Sequence, residues 1–121
     1  DGARFDLATR KESFGPGELC YAFDEGGWGW GADRIARARR AADVLVVDEL
    51  GKLEARGQGH LPALLQDEPE ERCAIWVLSV RAVAADAVSD ALGGFDHVAR
   101  LHAAGDDLAG LRRRINRLLE P

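Results

Sequence analysis

The sequence predicts an α/β domain with three layers and a mostly parallel sheet. Three observations carry that expectation. Residues 43–48, Asp-Val-Leu-Val-Val-Asp, are a short continuous β-branched and leucine run, the pattern of a strand buried on both faces of a parallel sheet. Residues 74–80, Ala-Ile-Trp-Val-Leu-Ser-Val, form a second such run. After residue 32 the patterns follow as helix, strand, helix, strand, helix, strand, helix, the order of a parallel sheet joined by crossover helices.

Ahead of that alternation, residues 4–9 alternate weakly and read as a short strand. Residues 18–23, Glu-Leu-Cys-Tyr-Ala-Phe, are richer in the aromatic and apolar types that strands favour. Gly15-Pro16-Gly17 punctuates between them, so the pair reads as a hairpin or edge meander. Gly26-Gly27-Trp28-Gly29-Trp30-Gly31 reads as a loop or a loosely started helix. Its tryptophans offer faces for stacking on a base, and packing onto the sheet is the plainer expectation.

Residues 33–42 read as an Ala- and Arg-rich helix, capped by Asp33 or Asp24, with a narrow stripe of Ile35, Ala38, Ala41 and Ala42. Residues 59–66 read as a short helix with His60-Leu61-Pro62 near its first turn, where proline is tolerated. Residues 82–92 read as a helix ended by Gly93-Gly94, and residues 97–101 as a short strand. The last helix is expected over 106–119, capped by Asp106 or Asp107. Leu108, Leu111, Ile115 and Leu118 share one face of it, with Arg112, Arg113, Arg114 and Arg117 elsewhere on its surface.

The bulk numbers fit one domain over residues 1–121, with 46% apolar and 31% charged residues. No apolar run approaches the about 20 residues of a membrane helix, and no basic segment followed by an apolar one marks a signal peptide. A net charge of -5 argues against broad nucleic-acid binding, so the arginine-rich helices read as solvated faces rather than RNA contacts. Cys20 and Cys73 fall in predicted strand regions without His or Cys at metal-ligand spacing. They read as buried reduced thiols of a cytoplasmic protein. No Gly-x-Ser-x-Gly motif pairs with His60, His97 or His102 for nucleophilic catalysis.

Chemistry is concentrated at Asp48 and Glu49, at the carboxyl end of the most apolar strand. Ligands of open α/β sheets bind outside those ends. Two adjacent carboxylates in a partly buried site call for a cation, and a strand followed by two acids suits Mg²⁺. The plain alternative is a solvated turn.

The flanking stretch Val46-Val47-Asp48-Glu49-Leu50-Gly51-Lys52-Leu53-Glu54 resembles the Walker B motif of a family of small, single-domain nucleoside-triphosphatases of the P-loop class. Weaker likeness extends over Gly2 to Leu7, Tyr21-Ala22-Phe23, Gly57 to Leu64 and Val77 to Arg81. The resemblance implies a P-loop NTPase-like fold and Mg²⁺-dependent hydrolysis of nucleoside triphosphates such as ATP or GTP. It makes Asp48 the Mg²⁺ ligand and Glu49 the catalytic base. Lys52 and Glu54 become residues around the nucleotide site, where the alternative is a surface ion pair. Arg81, at another strand end, faces phosphate or solvent.

The family's phosphate loop, Gly-x-x-x-x-Gly-Lys-Ser/Thr, does not occur here, and the single Gly-Lys pair, Gly51-Lys52, is followed by Leu53. A chain that starts at Asp1 and holds no methionine reads as lacking the first strand, P-loop and first helix. The other expectation is a P-loop-less relative that acts as an interaction or regulatory module. A sheet missing its first unit would expose an edge and favour a homodimer.

Overall fold

The structure, a computed structural model, describes residues 8–10, 21–23, 25–100 and 108–120. Two short strands, β1 (Ala8–Arg10) and β2 (Tyr21–Phe23), pair antiparallel with Ala8 opposite Phe23. This is the expected hairpin pairing; the Gly15-Pro16-Gly17 turn lies outside the described residues.

Helix α1 (Glu25–Ala41) begins well before the expected residue 33 and takes in the glycine-rich stretch. Each helical glycine costs about 1 kcal/mol relative to alanine. Two ring contacts, one tertiary and one within the helix, work against that cost. Trp28 meets His60 edge-on, and the Arg34 guanidinium lies over Trp30 one turn earlier, 5.0 Å from the ring centre. Of the two expectations for this stretch, the helix start is the one the structure has.

Strand β3 (Val44–Leu50) is followed by a single helical turn α2 (Lys52–Ala55) and a short helix α3 (Leu61–Leu65) with Pro62 in its first turn. Strand β4 (Ile75–Val80) then lies parallel to β3, with Val44 opposite Ile75 and Val47 opposite Leu78. A 3₁₀ turn at Ala82–Ala84 leads into α4 (Ala85–Leu92). That helix stops where expected. Gly93 takes φ 83°, and the Gly94 N–H donates to the Ser89 carbonyl at 2.8 Å, closing a Schellman turn. Residues 97–100 carry no strand, contrary to expectation; Val98, the apolar residue meant to anchor one, is exposed. Helix α5 spans Leu108–Leu119, and the proposed Asp106 and Asp107 caps lie outside the described residues.

The core joins Ile35 of α1, Leu45, Val47 and Leu50 of β3, Leu64 of α3, Cys73, and Ala84 and Val88 from the α4 segment. Leu45 and Val47 share one face of β3 and meet these helices. Val46 points the other way and is 67% exposed, so β3 is not covered on both faces as its unbroken apolar run implied. The architecture is mixed α/β around a two-stranded parallel sheet, with a layer of helices on one face. Cys73 is a buried free thiol beside β4 rather than within it.

Arg39 fixes the amino end of β4. Sequence placed it on a solvated helix face, yet it is 8% exposed. Its guanidinium donates to Glu71 and to the carbonyls of Ala63 (3.2 Å) and Gln66 (2.6 Å), at the end of α3, where a cation also meets the favourable pole of the helix. It stacks on Trp76, and its own carbonyl accepts the N–H groups of Arg72 (2.8 Å) and Cys73 (3.0 Å). Replacing Arg39 with alanine leaves Glu71 with the Trp76 indole N–H and solvent, takes the donor from two carbonyls, and should cost about 3 kcal/mol in urea unfolding. Lysine should recover little, because one ammonium cannot serve diverging acceptors and stack at once. Full recovery by lysine would show that charge alone matters.

Candidate functional site

The site starts from a conflict of periodicity in β3. Side chains alternate along a strand, and Leu45 and Val47 face the core, so position 49 should face it next. Position 49 is glutamate and position 50 is leucine. The strand resolves this with a bulge. Val47 pairs with Leu78 and Leu50 with Val80, so Asp48 and Glu49 together oppose Ser79 alone. Glu49 takes φ 61°, the one non-glycine residue with positive φ among those described. Leu50 thereby returns to the core at 0% exposure, while Asp48 and Glu49 both reach solvent. Burying a leucine is worth about 1.5–3 kcal/mol, and the left-handed conformation costs about 1–2 kcal/mol, so the exchange is favourable.

The next residues are pinned on all sides. The Arg81 N–H donates to the Leu50 carbonyl at 2.8 Å, and the Gly51 carbonyl accepts the Ala55 N–H at 3.0 Å. The Gly51 N–H donates to Glu54 Oε1 at 2.8 Å, and the His60 N–H to Glu54 Oε2 at 3.0 Å. Glycine has no side-chain acceptor, so Gly51 and Glu54 form only the returning arm of a capping box. Glu54 is 5% exposed, which removes the surface ion pair as its explanation. A methyl group on Gly59 would overlap its carboxylate, and Gly59 also holds φ 64°.

Of the residues the sequence singled out, the structure gathers Asp48, Glu49, Glu54 and Arg81 around the carboxyl ends of β3 and β4. The Arg81 Nε lies 3.2 Å from Glu49 Oε1, and its stem crosses Gly51, whose added Cβ would meet Cδ at 3.3 Å. Both partners are well exposed, 58% and 64%, so the pair is worth at most about 1 kcal/mol. Lys52 opens α2 and is exposed. Exposure also changes the case for a cation: two solvated carboxylates carry little burial penalty, so shape rather than desolvation makes the site. The hard oxygen donors of Asp48 and Glu49 suit Mg²⁺, which takes one or two carboxylates and completes its shell with water and phosphate. Among the described residues no group of three or more His, Cys, Asp or Glu side chains stands together to enclose a metal.

Sequence reasoning missed His60. Its ring meets Trp28 edge-on at 4.9 Å, and a Cβ on Gly31 would approach its Cε1 at 3.3 Å, so a glycine of α1 makes room for it. Burial pushes the imidazole below its ordinary value of 6.5, and the nearby Glu54 carboxylate opposes that shift only in part. The signal available was Gly57-Gln58-Gly59-His60, two glycines bracketing a turn; both adopt positive φ.

No known protein family, curated protein or solved structure matches the chain.

Two expectations follow. Glycine at position 49 relieves the left-handed strain, so Glu49→Gly should be more stable than the parent by about 1 kcal/mol in denaturant unfolding. A net loss of stability would mean that the carboxylate itself holds the bulge. For His60, a folded-state value below 6.5 means the folded chain binds fewer protons than the unfolded one just below that pH. Its contribution is complete above about pH 6.5 and declines as pH falls through the folded value. Between about pH 7.5 and about pH 5.5 the parent should lose more stability than His60→Gln. Equal losses would exclude His60 as the titrating group.

Proposed function

We propose that this chain is the Walker B portion of a Mg²⁺-dependent nucleoside-triphosphatase that hydrolyses a nucleoside triphosphate, such as ATP or GTP, to the diphosphate and phosphate. The observation that supports this most is the bulge at the carboxyl end of a parallel strand, which sets two acids side by side in solvent. In this reading Asp48 ligates Mg²⁺, directly or through water, and Glu49 orients the attacking water and takes its proton. Bound Mg²⁺ supplies neutralisation of phosphate charge. Arg81, weakly held by Glu49, is placed to turn towards a phosphate oxygen, and Lys52 adds a second exposed cation nearby. A P-loop NTPase-like fold belongs to the same proposal, as does a cytoplasmic location. No helix among the described residues is long and apolar enough to cross a membrane.

A second reading is a P-loop-less relative that serves as an interaction module. It is favoured by Val46, an apolar residue 67% exposed on the open side of the sheet.

In a protein that carries these residues together with a phosphate loop, Glu49→Gln should lower kcat by at least about a hundredfold while nucleotide binding holds. Asp48→Asn should abolish the Mg²⁺ dependence of nucleotide binding. Turnover that survives Glu49→Gln removes Glu49 as the base. Binding with no turnover in the parent protein selects the interaction module.

A further inference from the structure

Glu54 and Arg39 are the buried charged residues among those described. Arg39 is satisfied within the packing of α1, α3 and β4. Glu54 lies in the turn that follows the two acids, and each of its oxygens is occupied by one backbone N–H. A buried acid committed to backbone donors has little left to offer a ligand. Its position suggests a different task.

We propose that Glu54 is a positioning residue for Asp48 and Glu49: its carboxylate, holding the Gly51 and His60 N–H groups, fixes the left-handed turn at Glu49 that presents both acids to a divalent cation. The cation half of this statement rests on the function proposed above; the backbone half stands without it.

The geometry leads there in three steps. Glu49 is bracketed by two fixed points, Val47 in the ladder opposite Leu78 and the Leu50–Gly51 peptide. That peptide is held through the Leu50 side chain in the core, through the Leu50 carbonyl to Arg81, and through the Gly51 N–H to Glu54. The first two holds would survive loss of Glu54. The third holds the same Leu50–Gly51 peptide, one residue beyond Glu49, by its opposite edge, because Gly51 is buried and its N–H has Glu54 as its acceptor. The second oxygen ties the same carboxylate to His60 at the start of α3, six residues away, so the clamp cannot swing with α2 alone. Gly59 leaves the space the carboxylate fills.

Glu54→Gln keeps the volume but replaces one acceptor oxygen with an NH₂ that faces a backbone donor. Manganese serves as the probe, in place of magnesium, because it broadens the NMR signals of nearby residues. In a Glu54→Gln protein that retains a dispersed amide spectrum, the backbone shifts of Glu49 should leave the left-handed region. Mn²⁺ affinity at Asp48 and Glu49 should fall about tenfold or more, while an Arg56→Ala control matches the parent. A purely structural Glu54 would lower thermal stability and leave Mn²⁺ affinity and the Glu49 conformation as they were; that result overturns the proposal. A parent protein that takes up no Mn²⁺ refutes the metal reading, and the Glu49 conformation then decides the positioning role by itself. Should Glu54→Gln fail to fold, amide exchange in the parent decides: the Gly51 and His60 N–H groups must both be protected, and fast exchange at either refutes the clamp.

Discussion

Leu50 is the residue on which this structure turns. It follows two acids on a strand whose other core residues sit at odd positions, so a regular strand would push Leu50 into solvent and Glu49 into the core. Either outcome costs more than one bulge. An unpaired carboxylate buried among Ile35, Leu64 and Val88 would be prohibitive, and an exposed Leu50 would forfeit the packing of α4 against the sheet. The chain therefore inserts one residue, bends at Glu49, and resumes its packing. Display of the two acids is a by-product of hiding the leucine, and the same step opens room for Arg81 to lie across Gly51.

Once the bulge exists, the chain beyond it has to be held, because a left-handed glutamate relaxes if its neighbours are free. Here the holding is done by backbone groups and one buried acid rather than by a long helix. α2 is a single turn, with glycines at positive φ soon after it. Such a segment has little propensity of its own. Glu54 binds its beginning to its end, and the Trp28 and His60 rings close it against α1. Gly31 of α1, costly for helix formation, becomes intelligible at this contact, since a side chain there would crowd the imidazole.

Much of the frame was legible in the sequence. The two apolar runs are parallel neighbours, Gly93-Gly94 ends its helix, and Pro62 sits in a first turn. What failed did so for identifiable reasons. Glycine content hid the start of α1, because propensity cannot register the ring contacts of Trp28 and Trp30 that compensate for it. Continuous hydrophobicity in β3 concealed that Val46 is open to solvent, since composition does not say how many layers a sheet carries. At the site, Asp48 and Glu49 were visible as a pattern, but the bulge was not. Reading the run as apolar on both faces discards the parity that would have exposed the conflict at Leu50. Glu54 was placed around the site, but its task was not visible because its partners are main-chain N–H groups, which no sequence spacing reveals.

The two ends of β4 carry contrasting arginine–carboxylate pairs, and the contrast bears on where chemistry belongs. At the amino end Arg39 is buried, meets Glu71, stacks on Trp76 and serves two carbonyls, so breaking one contact strands several others. At the carboxyl end Arg81 meets Glu49 in solvent, where the pair gains little and is lost cheaply. A pair that costs little to open can exchange its carboxylate for another anion or a cation, whereas one enclosed by packing cannot. The backbone beneath the open pair is, by contrast, held at several points, through Leu50, Gly51 and Glu54. Mobile charge on a rigid turn is the combination a ligand site requires, because the ordering cost of the backbone is met in folding and only side chains need to move on binding.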